Sequence, residues 1–481
     1  MSYINEKSQS VPKKRFVSGF KVGLWLFSFF YLNSAHSADQ NFIEMIQRSD
    51  EVMQEMAKVN KSSGSCDLQK SQFTCNSASL CSKVNSDGLY MYTDSTGRKL
   101  VNSGLYSVAY DYMQCGEGVA SVGVYDKDPF LFPEKLYNAE AAGGPEKLKD
   151  NQKSFNQEFA RSKKVFSDVV AKMVQVVESR RNAANGDQID SLVSRLKSVK
   201  LNNYSPQDLE SDSNLTTCDA PNAFYDSNKH SITLCPQYMN APEGTLFFIL
   251  AHELGHSMDA CSSNFDQGPQ GINLPAIYGH VVSEPVIGKG MSNQENPFGA
   301  AFNCITGPGK TNVQNFSQQE LLKQHQDALD ETTDPAQKKV LQQSYDLVKN
   351  DYDKIKYCPF YGKGQAREAS ADWLGSEAVA MKIKNISTAA ARKEFAFSAT
   401  MVRGETCEAV NTKALKMAED MAASRQCGRL SRDIASLKKD PYGGGATHPS
   451  SRDRVNKIIL PNPQIQKALE CKNNQPEKYC Q

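Results

Sequence analysis

The sequence carries almost no net charge: 55 lysines and arginines stand against 54 aspartates and glutamates. Chains that live on nucleic acid show a basic excess, so this balance argues against that partner. Beyond Leu32 no stretch is apolar for long enough to cross a bilayer, which leaves no membrane span in a mature chain. No two cysteines stand at C-x-x-C spacing, so the paired motif of a zinc knuckle or a dithiol redox centre is missing. Histidine is scarce, with seven in 481 residues, so two of them four positions apart carry information.

What is present suits a large, folded, exported chain. A length of 481 residues is enough for two or three domains. Hydrophobic residues make up 39% and charged residues 23%, a balance that supports a packed core. Residues 1–38 have the order of a secretory signal peptide. Lys13, Lys14, Arg15 and Lys21 form a basic region, Val22 to Leu32 is apolar or aromatic apart from Gly23 and Ser28, and small residues follow up to Ala38. Cleavage after Ala38 is expected, with an uncleaved N-terminal anchor as the alternative. All 13 cysteines lie beyond Ala38, at irregular spacing, which points to disulfides in an oxidising compartment: periplasmic or secreted. An odd count leaves at least one thiol over if the rest pair internally. Two local pairs are expected: Cys218 with Cys235, which flank a strand pair, and Cys471 with Cys480.

The patterning divides the remainder into three regions. Residues 39–145 read as a cysteine-containing, β-rich module, after a helix over 40–59. Within it, Gly88 to Val101 alternates apolar and aromatic residues around an Asp94-Ser95-Thr96-Gly97 turn, which predicts a hairpin. Gly116 to Val122 predicts a further strand. Together these resemble a single tryptophan-glycine repeat of bacterial exported proteins, with Tyr90-Met91 where the name-giving pair would stand. Residues 146–210 form a helical linker region, with Phe166, Val169, Val170, Met173, Val174 and Val177 at helical spacing. Residues 211–481 hold the chemistry, interrupted by an insertion around 266–360 that contains a Gly/Pro/Asn-rich loop and a polar helical hairpin.

His252-Glu253-Leu254-Gly255-His256 lies in a segment, Gly244 to Ala260, that predicts a helix with an apolar stripe of Leu246, Phe247, Leu250, Leu254 and Met258. Residues four apart share a helix face, so both imidazoles reach one metal ion. Glu253 sits beside the first of them, placed to act as general base. A catalytic zinc needs a third protein ligand. One layout takes a histidine six residues after the second, but that position is Ser262. Another takes a glutamate from a later helix, and Arg367-Glu368-Ala369-Ser370-Ala371-Asp372 supplies Glu368. Asp372, one turn on, faces the same side and is expected to fix the tautomer of a ligand histidine.

These segments resemble the gluzincin metallopeptidases, most closely the neprilysin family. Asn222-Ala223-Phe224-Tyr225, with Ile232-Thr233-Leu234 and Pro236, is similar to the family's strand motif upstream of the zinc helix. His252 to His256 continues into Ser257-Met258-Asp259 and Asn264-Phe265. Thr447-His448-Pro449 with Arg454-Val455-Asn456 is similar to the family's histidine and arginine motif, and weakly to the CAAX-protease type. Gln475 to Cys480 is similar to its C-terminal end. The resemblance covers roughly residues 216–265 and 366–480.

It implies an α+β fold: a mostly helical gluzincin-like zinc peptidase domain with a small sheet, preceded by the β-rich module. It implies one Zn2+ per chain on His252, His256 and Glu368, and hydrolysis of peptide bonds with Glu253 as general base. His448 would stabilise the oxyanion, while Asp259 and Asp372 would orient the ligand histidines. Asn222 and Ala223 would bind substrate main chain. Arg454 would either hold substrate or anchor His448. The partner is then a peptide or protein substrate. An alternative of a different class is an exported binding or adhesion protein that keeps a degenerate, non-catalytic peptidase domain.

Overall fold

The computed structural model describes residues 73–74, 90–101, 130, 133–204, 218, 221–226, 229–258, 297–305, 318–332, 365–401, 448–449, 453–473 and 479–480, with isolated positions between 335 and 350. The expected signal peptide, the helix over 40–59, the strand over 116–122 and most of the 266–360 insertion lie outside these residues. Seven short strands are described: β1 (Phe73–Thr74), β2 (Tyr90–Thr93), β3 (Lys99–Val101), β4 (Lys200–Asn203), β5 (Ala223–Asp226), β6 (Ser231–Leu234) and β7 (Lys472–Asn473). The six helices that build the core are α1 (Pro145–Glu178), α2 (Gly186–Ser198), α3 (Glu243–His256), α4 (Gln365–Lys384), α5 (Ala389–Met401) and α6 (Pro463–Leu469). The architecture is therefore mostly helical with small sheets.

Helix α3 runs through the centre, packed against α1, α4 and α5. Every residue from Gly244 to His256 is buried. The sequence stripe of Leu246, Phe247, Leu250, Leu254 and Met258 is only part of this. Phe248 and Ile249 on the opposite faces are buried as well, and a helix that is apolar all round belongs inside. The helix ends at His256, four residues before the expected Ala260. Helix α1 is amphipathic in the ordinary way: Phe166, Val169, Met173 and Val177 are buried, while Val170 and Val174 pack partly covered at the margin.

Two glycines let the helices approach closely. A Cβ on Gly244 would collide with the Phe395 carbonyl oxygen and the Ser398 hydroxyl of α5. The neighbouring Thr245 hydroxyl donates to the Ser398 carbonyl at 2.9 Å, which seals the same crossing. A Cβ on Gly255 would stand 3.2 Å from the Ala371 Cα of α4. That close crossing of α3 and α4 carries Glu368 over the two histidines. Gly244→Ala is expected to cost about 1–3 kcal/mol by overpacking, because one clash is with backbone that cannot rotate away. A urea midpoint equal to the parent's would contradict the packing.

The hairpin expected over 88–101 forms, with β2 antiparallel to β3. Asp94 Oδ1 accepts from the Thr96 and Arg98 amides, at 2.9 and 2.8 Å, and Gly97 takes a left-handed φ of 83°. The hairpin packs directly onto the helices. Tyr92 is fully buried against Phe397, its hydroxyl donates to Glu394 of α5, and Arg98 forks onto Glu158 of α1.

A three-stranded sheet flanks α3 in the order β4-β6-β5, with β4 parallel and β5 antiparallel to β6. Among the described strands β5 is thus an edge, and it lies beside α3. The Cys218–Cys235 disulfide forms as expected, closing the approach to this strand pair. The expected Cys471–Cys480 pair does not form. Cys480 bonds Cys304 instead, 176 positions away, and Cys471 is itself disulfide-bonded. The reason is tertiary. The end of the chain is drawn onto α4, where the buried Trp373 Nε1 donates to the Cys480 carbonyl at 2.9 Å. Helix Gly299–Ile305 packs on the same helix and presents Cys304 there.

Candidate metal centre

His252 and His256 project from the last turns of α3, and Glu368 from the first turn of α4. The three offer ligand atoms within 4.8 Å of one another and form a group able to hold a metal ion. His252 Nε2 is 3.2 Å from His256 Nε2 and 3.1 Å from Glu368 Oε2, while His256 Nε2 is 3.5 Å from Glu368 Oε1. Ligand atoms bound tetrahedrally at about 2.0–2.1 Å stand about 3.3 Å apart, so the three edges fit one small cation. Both histidines are almost fully buried. Burial by itself pushes the Glu368 carboxyl up, but His256, His252 and His448 around it hold it well below the ordinary carboxylate range.

A second layer orients the first. Asp372, fully buried one turn along α4, places Oδ1 2.9 Å from His252 Nδ1. A carboxylate there favours the Nδ1–H tautomer and leaves the Nε2 lone pair facing His256 and Glu368. Two nitrogen lone pairs and a carboxylate meeting in a buried space call for a cation, which is the chemical sense of the cluster. Arg454 holds Asp372 in turn, through Nε to Oδ2 and through Nη2 to Oδ1 at 2.9 Å. It begins a π-helical turn, Arg454–Ile459, closed by the Leu460 amide on the Val455 carbonyl at 2.8 Å. Such turns are rare and recur at functional sites.

Glu253 does not join the ligand group. Its Oε1 stands 3.9 Å from His252 Nε2, and its Oε2 accepts the Tyr225 backbone N–H at 3.0 Å. The Cys235 amide donates to the Asn222 carbonyl, so alternation along the antiparallel pair turns the Ala223 and Tyr225 backbone groups to the open edge of β5. Glu253 caps that edge at Tyr225. His448 Nε2 lies 3.2 Å from Glu368 Oε2, and its side chain is 45% exposed, far more than any other group of the cluster.

The structure thus brings together His252, Glu253, His256, Glu368, Asp372, His448 and Arg454, with Asn222 and Ala223 at the adjoining edge strand. Asp259 lies outside the described residues. Arg454 is buried on Asp372. Sequence patterning did not single out Tyr225 as a contact of Glu253, nor Arg195, which reaches the end of α3 from α2. A backbone donor leaves no mark in the sequence, and α2 lies outside every recognisable motif. No family model, curated protein or solved structure matches this chain.

Proposed function

We propose that the chain is an exported zinc metallopeptidase of the gluzincin type, related in its catalytic core to the neprilysin family. The reading is supported above all by Glu253: a buried carboxylate beside a His-His-Glu ligand group, held by strand β5, yet not itself a ligand. A purely structural metal site closes all four positions with protein ligands, whereas a catalytic one keeps three and leaves one open. Two imidazoles and one carboxylate suit zinc better than calcium or magnesium, which prefer oxygen alone. Bound there, zinc supplies Lewis acidity toward a carbonyl oxygen and makes water acidic near neutral pH.

The chain's own groups do the rest. Glu253 takes a proton from the attacking water and passes it to the leaving amine. His448, the exposed member of the cluster, donates a hydrogen bond to the developing oxyanion. Asp372 keeps His252 in the metal-binding tautomer. The open edge of β5 at Ala223 offers main-chain groups to an extended peptide, with Asn222 beside it. Export is supported by the signal-like residues 1–38 and by the disulfides. No helix among the described residues is long and apolar enough to cross a membrane.

Purified chain is expected to carry about one zinc by elemental analysis, and to cleave members of a peptide library. A zinc chelator abolishes the cleavage and added zinc restores it. A metal-free preparation that cleaves as fast as the zinc form would overturn the assignment.

A further inference from the structure

Arg195, in the last turn of α2, connects three elements that meet at the site. Its Nε donates to the Ser257 carbonyl at 2.6 Å, the residue that ends α3 directly after His256. Its Nη2 donates to the Tyr225 hydroxyl of β5 at 3.1 Å. The same hydroxyl lies 2.6 Å from His230 Nδ1, in the turn between β5 and β6. His230 Nε2 closes the ring back to α2, 2.9 Å from the Ser198 hydroxyl and 3.1 Å from the Arg195 carbonyl. Tyr225 and His230 also meet edge to face, with ring centres 5.9 Å apart.

We propose that Arg195 is a positioning residue for Glu253: it clamps the edge strand β5 to the end of α3 and so holds the Tyr225 N–H against one oxygen of the carboxylate. The inference rests on the hydrolase reading above for its kinetic consequence, but not for its structural one.

The physical case begins with β5. It has four residues and, among the described residues, is hydrogen-bonded to a neighbouring strand only through β6. A short edge strand of this kind slides and frays easily. Helix α3 has its own weak point, since the carbonyls of a last turn lack intrahelical donors. A guanidinium is planar, with donors in a fixed fork, so one side chain can satisfy the Ser257 carbonyl and the Tyr225 hydroxyl at a set separation. Tyr225 then has both ends fixed: its hydroxyl by Arg195 and His230, its amide by Glu253. With Oε2 of Glu253 held by the Tyr225 amide, Oε1 faces His252 Nε2 at 3.9 Å. A base held in one orientation matters for rate, because a misplacement of about 1 Å costs up to about a hundredfold. Its bonds to Ser257 and Tyr225 go to groups with no place in the reaction itself.

The test uses the full-length zinc-loaded chain and its Arg195→Met, Tyr225→Phe and Glu253→Ala variants. Amide exchange is followed by mass spectrometry in peptides spanning Ala223–Asp226, with kcat and KM measured alongside. Arg195→Met is expected to speed exchange at Tyr225 at least tenfold while the buried turns of α3 stay protected. It is also expected to lower kcat about tenfold to a hundredfold with KM within twofold. Tyr225→Phe, which keeps the ring and the amide, shifts both readings the same way by less. Glu253→Ala, which removes the acceptor, matches Arg195→Met in exchange. Arg195→Lys recovers part of the loss, since one ammonium reaches the carbonyl or the hydroxyl but does not bridge both. Unchanged exchange at Tyr225 in both Arg195→Met and Tyr225→Phe overturns the proposal. So does a rise spread evenly over all helices, which marks a general staple. If exchange responds as expected but the parent itself cleaves no peptide, the hydrolase reading fails and the clamp stands.

Discussion

Glu253→Gln is expected to lower kcat by about a hundredfold to ten-thousandfold, toward the larger figure because one group handles the proton twice. The substitution is informative because so little else changes. The glutamine amide oxygen still accepts the Tyr225 N–H, so the side chain stays where strand β5 holds it. The ligand group of His252, His256 and Glu368 is untouched, so zinc content stays at the parental level. KM stays close to the parent's if the carboxylate acts only on the reacting water. What is lost is basicity alone. Glu253→Ala separates the two roles of the residue, since it removes both the base and the acceptor that caps the β5 edge. Turnover of the Gln variant within tenfold of the parent would sink the assignment. A zinc-loaded parent with no cleavage at all would favour instead a binding protein with a degenerate peptidase domain.

How much of this site was legible in the sequence follows from how local each part is. His252, Glu253 and His256 sit on one helix, so their spacing alone places them. Glu368 and Asp372 are one turn apart on a second helix, and the pairing with the first needed only the recognition that zinc wants a third ligand. Cys218 and Cys235 flank a hairpin, so their bond is nearly a local matter as well. The parts that were not legible depend on which elements cross. Gly244 reads as a weak helix residue until α5 is seen against it. Cys480 pairs with Cys304 because both meet α4, not because either has a near neighbour. Arg195 belongs to a helix outside the resemblance altogether, and its reach to Ser257 spans 62 positions. One signal was available and pointed further than its apolar stripe: Leu246 to Ala251 is six apolar residues in succession, which already describes a helix buried on every side.

Arg454→Met is expected to destabilise the fold by about 3–5 kcal/mol, the cost of leaving a buried carboxylate without its partner. Asp372 is fully buried and Arg454 nearly so, and the pair is joined by two hydrogen bonds. Burial pulls the arginine toward neutrality, but Asp372, with Glu368 and Glu253 behind it, more than offsets this and holds the guanidinium charged. Its loss reaches the metal site by two routes: Asp372 Oδ1, which it holds, stands 2.9 Å from His252 Nδ1, and its own Nη2 lies 3.9 Å from Glu368 Oε2. Zinc affinity is therefore expected to fall about tenfold to a hundredfold, the usual consequence of disturbing a ligand's outer partner. The two effects separate in a double variant. Arg454→Met combined with Asp372→Asn removes the stranded charge at position 372, so most of the stability returns. The amide oxygen still accepts from His252, but it no longer raises the basicity of the imidazole, so zinc binding stays weak. Had Arg454 held substrate, as its sequence position allowed, the single variant would raise KM and leave both the unfolding midpoint and the zinc affinity alone. Denaturant unfolding, a zinc titration against a competing chelator and KM on one peptide distinguish these outcomes. A stable, zinc-replete Arg454→Met chain with an impaired KM would move Arg454 from the support of Asp372 to the binding of the peptide.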